Sequence, residues 1–204
     1  MTELEITKHF FDEKAEIWDS HDRMQMEERL RRILSKIIPE LNSPILDVGS
    51  GTGILISILD NILNNPDQII ELDISRNMLN KASQKYQYKD NVKFVQSDGH
   101  LLPFPQKSFA SVVCFAVYPH FHSPMKAVQE FHRVLSDQGI LIILHLMGHR
   151  ELNAIHEKAG SAVCRHTLQP VSVVSKQIAE QSFNIIDSRE QEDLYLIVAQ
   201  KQAN

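Results

Sequence analysis

Residues 45–53 read Ile45-Leu46-Asp47-Val48-Gly49-Ser50-Gly51-Thr52-Gly53, an apolar run that ends in three alternating glycines. A run rich in Ile, Leu and Val is typical of a strand that is buried on both faces. Glycines let the chain turn sharply and bring backbone N–H groups close to a ligand, because they carry no Cβ atom. The helix expected after the turn would direct its N-terminus at that ligand. The stretch therefore predicts a strand, a turn and a helix that bind a nucleotide.

Strands and helices are predicted to alternate along the rest of the chain. Apolar runs predict strands at residues 45–48, 68–73, 92–95, 109–115, 140–144, 183–186 and 194–198. Helical spacing of apolar residues predicts helices at 22–38, 54–63 and 171–181, and two more that begin after the capping residues Ser75 and Ser123. This order predicts an α/β fold with a doubly wound, mostly parallel seven-stranded sheet, which is Rossmann-like and has an antiparallel last strand.

The composition is that of an ordinary globular protein. With 204 residues, 43% of them hydrophobic and 23% charged, we expect residues 1–204 to form a single domain. The net charge of -5 produces no field that attracts polyanions, so we expect no nucleic-acid partner. Cys114 and Cys164 form no Cys-x-x-Cys pair, and we find neither a basic leader nor a run of about 18 apolar residues. We therefore expect a cytoplasmic protein without a membrane span.

The spacing of the glycines separates the classes of nucleotide protein. The dinucleotide fingerprint has two residues between its second and third glycines, whereas Gly49, Gly51 and Gly53 alternate. A phosphate-binding P-loop requires a lysine followed by Ser or Thr after the glycines, and this stretch has none. An oxidoreductase that uses a dinucleotide therefore conflicts with the glycine spacing.

The Asp-Val-Gly-Ser-Gly-Thr-Gly arrangement resembles the first motif of the class I S-adenosylmethionine-dependent methyltransferases. Asp73 stands where the family's acidic residue binds the ribose hydroxyls. Asp98, in Gln-Ser-Asp-Gly-His-Leu-Leu-Pro-Phe, resembles the residue beside the adenine amino group. Residues 131–139 resemble the family's Arg-Val-Leu-Lys-Pro-Gly-Gly turn. The resemblance spans roughly residues 8–145. Within the family, the chain resembles the methyltransferases that act on small molecules, such as those of ubiquinone and menaquinone biosynthesis.

The resemblance implies S-adenosyl-L-methionine as the methyl donor and S-adenosyl-L-homocysteine as the product. It implies cofactor contacts at Asp47, Gly49, Ser50, Gly51, Gly53, Asp73, Ile74, Met78, Asp98 and Gly99. Asp47 has two alternative roles, since it would either bind the amino group of the cofactor or hold the glycine turn by accepting backbone N–H bonds. Met78 belongs to the core or also packs on adenine.

Two segments are expected to enclose the acceptor. Residues 1–21 resemble a family segment that folds over the cofactor, although their aromatic residues would equally serve as an apolar anchor on the sheet. Residues 146–170 are irregular and rich in histidine, and we expect them on the acceptor side. The candidate acceptor contacts are Phe11, Trp18, Tyr118, His149 and Arg165.

Histidines are the candidate catalytic residues. Ligands of such sheets bind outside the carboxyl ends of the strands, where His120 follows the fourth strand and His145 ends the fifth. Either would act as a general base or orient an acceptor. If residues 145–156 are helical, His145, His149 and His156 share a face and would bind a metal, either resident or carried by the substrate. The alternative is that these histidines are solvated or hydrogen-bonded.

The function predicted from these residues is transfer of the sulfonium methyl group to a small-molecule acceptor by in-line displacement. A quinone or other ring, an amine, a thiol and a metal chelate remain open as acceptors. A noncatalytic protein that binds or senses S-adenosylmethionine is the rival class. The protein is expected to be a monomer or a homodimer.

Overall fold

The computed structural model describes residues 1–19, 23–37, 41–64, 66–159 and 162–203. The sheet formed by these residues has seven strands, namely β1 (Ile45–Val48), β2 (Ile69–Asp73), β3 (Val92–Gln96), β4 (Phe109–Phe115), β5 (Leu135–His145), β6 (Phe183–Gln191) and β7 (Leu194–Lys201). Their order across the sheet is β3-β2-β1-β4-β5-β7-β6. Strands β1 to β5 pair in parallel, whereas β7 is antiparallel to both β5 and β6. The predicted α/β fold with an antiparallel last strand is confirmed.

Helices flank the sheet on both faces. They are α1 (Glu3–Lys14), α2 (Arg23–Leu34), α3 (Ile54–Ile62), α4 (Arg76–Tyr86), α5 (Pro124–Val134), α6 (His149–Lys158) and α7 (Val171–Ala179), with a 3₁₀ turn at Tyr118–His120. Helix α2 is shorter than the predicted 22–38, and residues 20–22 and 38–40 lie outside the described residues. Helix α6 lies in a segment that we expected to be irregular. Its polar, histidine-rich sequence gave little apolar periodicity for a prediction.

The two predicted helix caps differ in outcome. Ser75 caps α4, since its hydroxyl accepts a 3.1 Å hydrogen bond from the backbone N–H of Met78. Ser123 is the N-cap residue of α5, as predicted, but its hydroxyl makes no capping hydrogen bond to the helix, so that part of the prediction is wrong. Pro124 at the start of α5 supplies a backbone angle that already suits a helix, and its nitrogen carries no hydrogen that needs a partner.

An apolar core lies on each face of the sheet, and successive strand residues point alternately into one core and the other. Leu46 and Leu72 belong to one core, which also contains residues of α5 and α7. Ile45 and Ile69 belong to the other, which contains residues of α2 and α3. The winding reverses between β1 and β4, and the carboxyl ends of the parallel strands meet there. An open crevice at such a point is the ordinary ligand site of a doubly wound sheet.

Among the described residues, we find no helix that combines the length and the apolar character needed to cross a membrane.

Candidate functional site

A cavity of about 500 Å³ opens at the carboxyl ends of the parallel strands, a size that suits a small-molecule site. One part, the glycine end, is lined by the turn after β1, the end of β2 and the loop after β3, and includes Gly49, Gly51, Asp73, Ile74, Met78 and Asp98. The other part, the histidine end, is lined by His120, His145, Leu146, Met147 and Leu152. The N-terminal segment covers both parts. The sequence-predicted residues Ser50, Gly99, Phe11 and Trp18 also line this cavity.

The three glycines serve different purposes. Their φ angles of 71°, 56° and 78° all lie in the left-handed region, which side chains disfavour. A Cβ atom on Gly49 would lie 2.3 Å from Val117 Cγ2, whereas one on Gly51 would meet only the Trp18 indole nitrogen at 3.7 Å. Gly53 precedes α3, and a Cβ there would collide with Ile56 of that helix. Gly51 therefore leaves room for a ligand, and Gly53 lies outside the cavity.

Asp73 joins the end of β2 to the glycine turn. The backbone N–H of Gly51 donates to its Oδ2 at 2.8 Å, and the backbone N–H of Ser75 donates to its Oδ1 at 2.7 Å. Burial raises the pKa of Asp73 to about 6, although these two donors act in the opposite direction. A carboxylate oxygen can accept two hydrogen bonds. Since each oxygen of Asp73 accepts one from these backbone groups, each can accept another from a ligand hydroxyl.

Asp98 is hydrogen-bonded to His100, a residue that we did not predict from the sequence as part of the site. The backbone N–H of His100 donates to Asp98 Oδ1 at 3.0 Å, and His100 Nδ1 lies 2.5 Å from the same oxygen. Both residues line the cavity. The signal for this contact was present in the sequence, because an aspartate commonly binds the backbone N–H two residues later in a turn.

The N-terminal segment is fixed over the glycine end by two further aspartates that sequence reasoning missed. Asp12 accepts hydrogen bonds from the Ser75 hydroxyl at 2.6 Å and from the backbone N–H of Asn77 at 3.1 Å. Asp19 accepts a 2.6 Å bond from the Thr52 hydroxyl and forms ion pairs with Arg23 and Lys85. Together these bonds connect Asp12 and Asp19 to the glycine turn and to α4.

Aromatic contacts connect the two ends of the cavity. The Phe11 ring meets the Trp18 ring edge to face, with centroids 5.7 Å apart, and meets the His120 ring at 5.1 Å. The Trp18 indole nitrogen would also lie 3.7 Å from a Cβ atom on Gly51. The N-terminal segment therefore lies against both the glycine end and the histidine end.

His120 and His145 stand at the histidine end in an apolar environment. His120 Nδ1 lies 2.9 Å from His166 Nδ1, and its ring centroid is 5.0 Å from that of His156. His145 is 2% exposed, and its Nε2 has no hydrogen-bond partner within the described part of the chain. Burial lowers the pKa of His145 to about 3 and the pKa of His120 well below its ordinary value. Both imidazoles are therefore neutral at physiological pH.

The prediction of three metal-binding histidines on one helix is wrong. His145 is the last residue of β5, and α6 begins only at His149. His149 turns away to form an ion pair with Glu190, while His156 donates its Nδ1–H to the backbone carbonyl of His166 at 2.5 Å. No group of three or more His, Cys, Asp or Glu side chains in the described ranges is arranged to hold a metal ion.

Four other sequence-predicted residues lie outside the cavity wall. Tyr118 is buried and packs edge to face on Phe121, with centroids 6.2 Å apart. Arg165 is exposed to solvent, and His149 lines a separate groove beside Glu190. Asp47 is only 1% exposed and accepts no hydrogen bond from any described residue, so it does not hold the glycine turn in this way.

The comparisons with known proteins agree with this geometry. A family model described as a methyltransferase domain matches residues 46–143. The chain is 31% identical over 141 residues to a demethylmenaquinone methyltransferase of Thermotoga maritima, an alignment that covers 67% of this chain and 60% of the relative. It is 31% identical over 123 residues to a ubiquinone/menaquinone biosynthesis C-methyltransferase of Wigglesworthia glossinidia brevipalpis, covering 56% and 49%. Residues 46–143 therefore match a methyltransferase domain, and the predicted resemblance to the class I S-adenosylmethionine-dependent methyltransferases is confirmed.

Solved structures show that the methyltransferase fold extends over most of the chain. The PH0226 protein of Pyrococcus horikoshii has a TM-score of 0.73 at 22% identity, covering 90% of this chain and 93% of that one. A SAM-dependent methyltransferase of Aquifex aeolicus has a TM-score of 0.71 at 16% identity, covering 93% and 97%. Identity at this level supports the fold alone. The methyltransferase spans only about half to three fifths of the length of the two curated relatives above.

Proposed function

We propose that this methyltransferase transfers the methyl group of S-adenosyl-L-methionine to an uncharged small molecule by in-line displacement, releasing S-adenosyl-L-homocysteine and, to solvent, the proton that the acceptor gives up. The observation that carries the proposal is one cavity that joins Asp73 and Asp98 at its glycine end to His120 and His145 at its histidine end. A donor and an acceptor bound at the two ends would meet inside it. The reactive methyl group is supplied by the sulfonium of the cofactor when it is bound.

The glycine end fits the cofactor by its charge and its shape. The Asp73 carboxylate has acceptor capacity for the ribose hydroxyls, and the absence of a Cβ on Gly51 leaves open space beside the turn. Ile74 and Met78 offer apolar surface to the adenine. The proposed cofactor contacts are the predicted residues that line the cavity, namely Gly49, Ser50, Gly51, Asp73, Ile74, Met78, Asp98 and Gly99. Asp47 and Gly53 are left out because they do not line it.

The N-terminal segment is proposed to exclude water from the reacting groups. Residues 1–19 are the described part of the segment expected to be a lid, and Asp12 and Asp19 fasten it over the glycine end. Exclusion of water and alignment of the reactants supply much of the acceleration of a displacement reaction. Trp18 and Phe11 are proposed to contact both the cofactor and the acceptor.

The histidine end favours an acceptor that is apolar and has one polar group. Leu146, Met147 and Leu152 provide an apolar wall, and neither β5 nor α6 contributes a charged side chain to it. The Nε2 atom of His145 is buried without a partner, so binding a hydroxyl there would satisfy it. A quinone-like or other hydroxylated ring fits this surface better than a charged amine, because burying an unpaired charge is costly.

The histidines are proposed to orient the acceptor more than to remove its proton. A general base works best with a pKa near the working pH, and burial lowers the pKa of His145 to about 3. A neutral imidazole still accepts a hydrogen bond from a hydroxyl and thereby directs one lone pair of its oxygen, or the adjacent ring carbon, at the methyl group. Alignment of this kind is itself a large part of catalysis.

Calorimetry and a methyl-transfer screen test this proposal. We expect S-adenosylhomocysteine to bind, NAD to give no heat, and labelled methyl groups to appear in hydroxylated aromatic acceptors before amines or thiols. Failure to bind S-adenosylhomocysteine would contradict the proposal. Binding without transfer to any acceptor class would favour the noncatalytic binding or sensing protein.

A further inference from the structure

The carboxylate of Asp98 is held on one side only. Its Oδ1 accepts two hydrogen bonds, from the backbone N–H of His100 at 3.0 Å and from His100 Nδ1 at 2.5 Å. No described residue donates a hydrogen bond to its Oδ2. The Asp98 side chain is 28% exposed and lines the cavity, whereas that of His100 is only 9% exposed. The free oxygen is therefore the one available to a ligand.

The protonation of His100 follows from its second partner. The backbone N–H of Ser123 lies 3.2 Å from His100 Nε2, and a backbone N–H is only ever a donor. Nε2 must therefore carry a lone pair, which places the proton on Nδ1, facing Asp98 Oδ1. His100 is thus a hydrogen-bond donor to Asp98 through Nδ1.

Neighbouring rings hold this imidazole in place. The exposed His122 ring stacks on His100 with centroids 3.8 Å apart, and the Phe121 ring meets it edge to face at 5.5 Å. Phe121 also closes the space beside Gly99, where an added Cβ would lie 2.7 Å from its ring. With both nitrogens bonded and two aromatic rings in contact with its ring, His100 has little freedom to release Asp98.

We propose that His100 is a positioning residue that makes this site select a 6-aminopurine over a 6-oxopurine, by fixing Asp98 so that only Oδ2 faces the base. The inference rests on the proposed function, in which Asp98 lies beside the adenine. An amino group donates a hydrogen bond to the fixed oxygen. A 6-oxo group places an acceptor opposite the acceptor Oδ2, so no hydrogen bond forms. The N1–H of such a base is a donor, but it lies at a different position on the ring edge, and a fixed carboxylate cannot move to bind it.

Paired binding measurements test the inference. S-adenosylhomocysteine and its deaminated analogue S-inosylhomocysteine are titrated by calorimetry into the wild-type protein and into His100→Ala. We expect the wild type to prefer the amino form by about tenfold or more, and His100→Ala to lose most of that preference. The ratio of the two dissociation constants is the readout because partial unfolding of a variant affects both ligands equally.

Two further variants separate positioning from general damage. His122→Ala removes one ring that contacts His100 but leaves the bonds to Asp98 and Ser123, so we expect a much smaller loss of preference than in His100→Ala. His100→Asn restores a donor near the position of Nδ1 and should recover part of it. An unchanged preference in His100→Ala, or an equal loss in His122→Ala, would overturn the inference while leaving the proposed function intact. If the wild type binds neither nucleoside, the proposed function itself is contradicted.

Discussion

Asp47 and Glu71 lie side by side in the middle of the sheet, with their carboxyl groups buried and unpaired. They are register partners on β1 and β2 and are 1% and 0% exposed. None of their four carboxyl oxygens has a hydrogen-bond partner among the described residues. The pKa of Asp47 is raised to about 8, mainly by burial and to a lesser extent by the Asp73 carboxyl. The pKa of Glu71 is raised well above its ordinary range, mainly by burial and to a lesser extent by Asp47. Both groups are therefore mainly protonated at neutral pH.

This pair should make the protein less stable as the pH rises. In the unfolded chain both carboxyls ionise near pH 4, but in the folded protein they retain their protons to much higher pH. The unfolded state therefore binds fewer protons above pH 4, so the stability contributed by these groups is full below that pH and is lost as the pH rises, for Asp47 up to about pH 8. The expected slope of the free energy of unfolding is at most about 1.4 kcal/mol per pH unit for each group.

Urea unfolding of Glu71→Gln at several pH values between 5 and 8 isolates the contribution of the pair. We expect the variant to lose less stability with rising pH than the wild type, because it lacks one of the two titrating groups. Asp90→Asn removes a solvent-exposed carboxyl and is the matched control, with the wild-type slope expected. Equal slopes in all three proteins would show that the pair does not titrate as its burial implies.

Asp73→Asn should weaken cofactor binding more than it weakens the fold. The amide keeps one oxygen acceptor but loses the negative charge and one of the two acceptors that now serve Gly51 and Ser75. We expect the affinity for S-adenosylhomocysteine to fall by about tenfold or more, because hydrogen bonds to a charged group are the stronger ones. Calorimetry measures the affinity and thermal unfolding of the free protein serves as the control. Unchanged affinity would place the ribose elsewhere.

The sheet and the glycine turn were predictable because their signals are local. Ile45 to Val48 and the alternating glycines specify a buried strand and a turn without reference to any distant residue. The N-terminal cover was not predictable at the level of contacts, since Asp12 and Ser75 meet across 63 positions of sequence. Helix α6 was missed because its exposed, polar surface lacks an apolar stripe. The supposed metal site failed for a different reason, since it assumed that a helix runs through His145, which is the last residue of β5.

Release of the N-terminal segment should accelerate cofactor dissociation. Asp12→Ala removes the bonds that α1 makes to the Ser75 hydroxyl and to the backbone N–H of Asn77, so the segment should open more often. Trp18, the single tryptophan of the chain, lies beside Gly51 and provides a fluorescence signal for ligand release. We expect a dissociation rate several times that of the wild type in stopped-flow displacement. Glu13→Ala, whose side chain is largely exposed, is the control, and equal rates in both variants would contradict the fastening role of Asp12.

His145→Leu should impair use of the acceptor without affecting the cofactor. Leucine has a similar volume but cannot accept a hydrogen bond from the acceptor's hydroxyl, as Nε2 is proposed to do, so we expect the KM for the acceptor to rise by about tenfold while the affinity for S-adenosylhomocysteine is unchanged. Because burial lowers the pKa of His145 to about 3, its imidazole stays neutral from about pH 6 to pH 8, and the ratio of wild-type to variant kcat/KM should be constant over that range. His149→Leu alters a histidine that lies outside the cavity and should behave as the wild type. A ratio that titrates near pH 6.5, or an equal loss of cofactor affinity, would show that His145 does not orient the acceptor as a neutral ring.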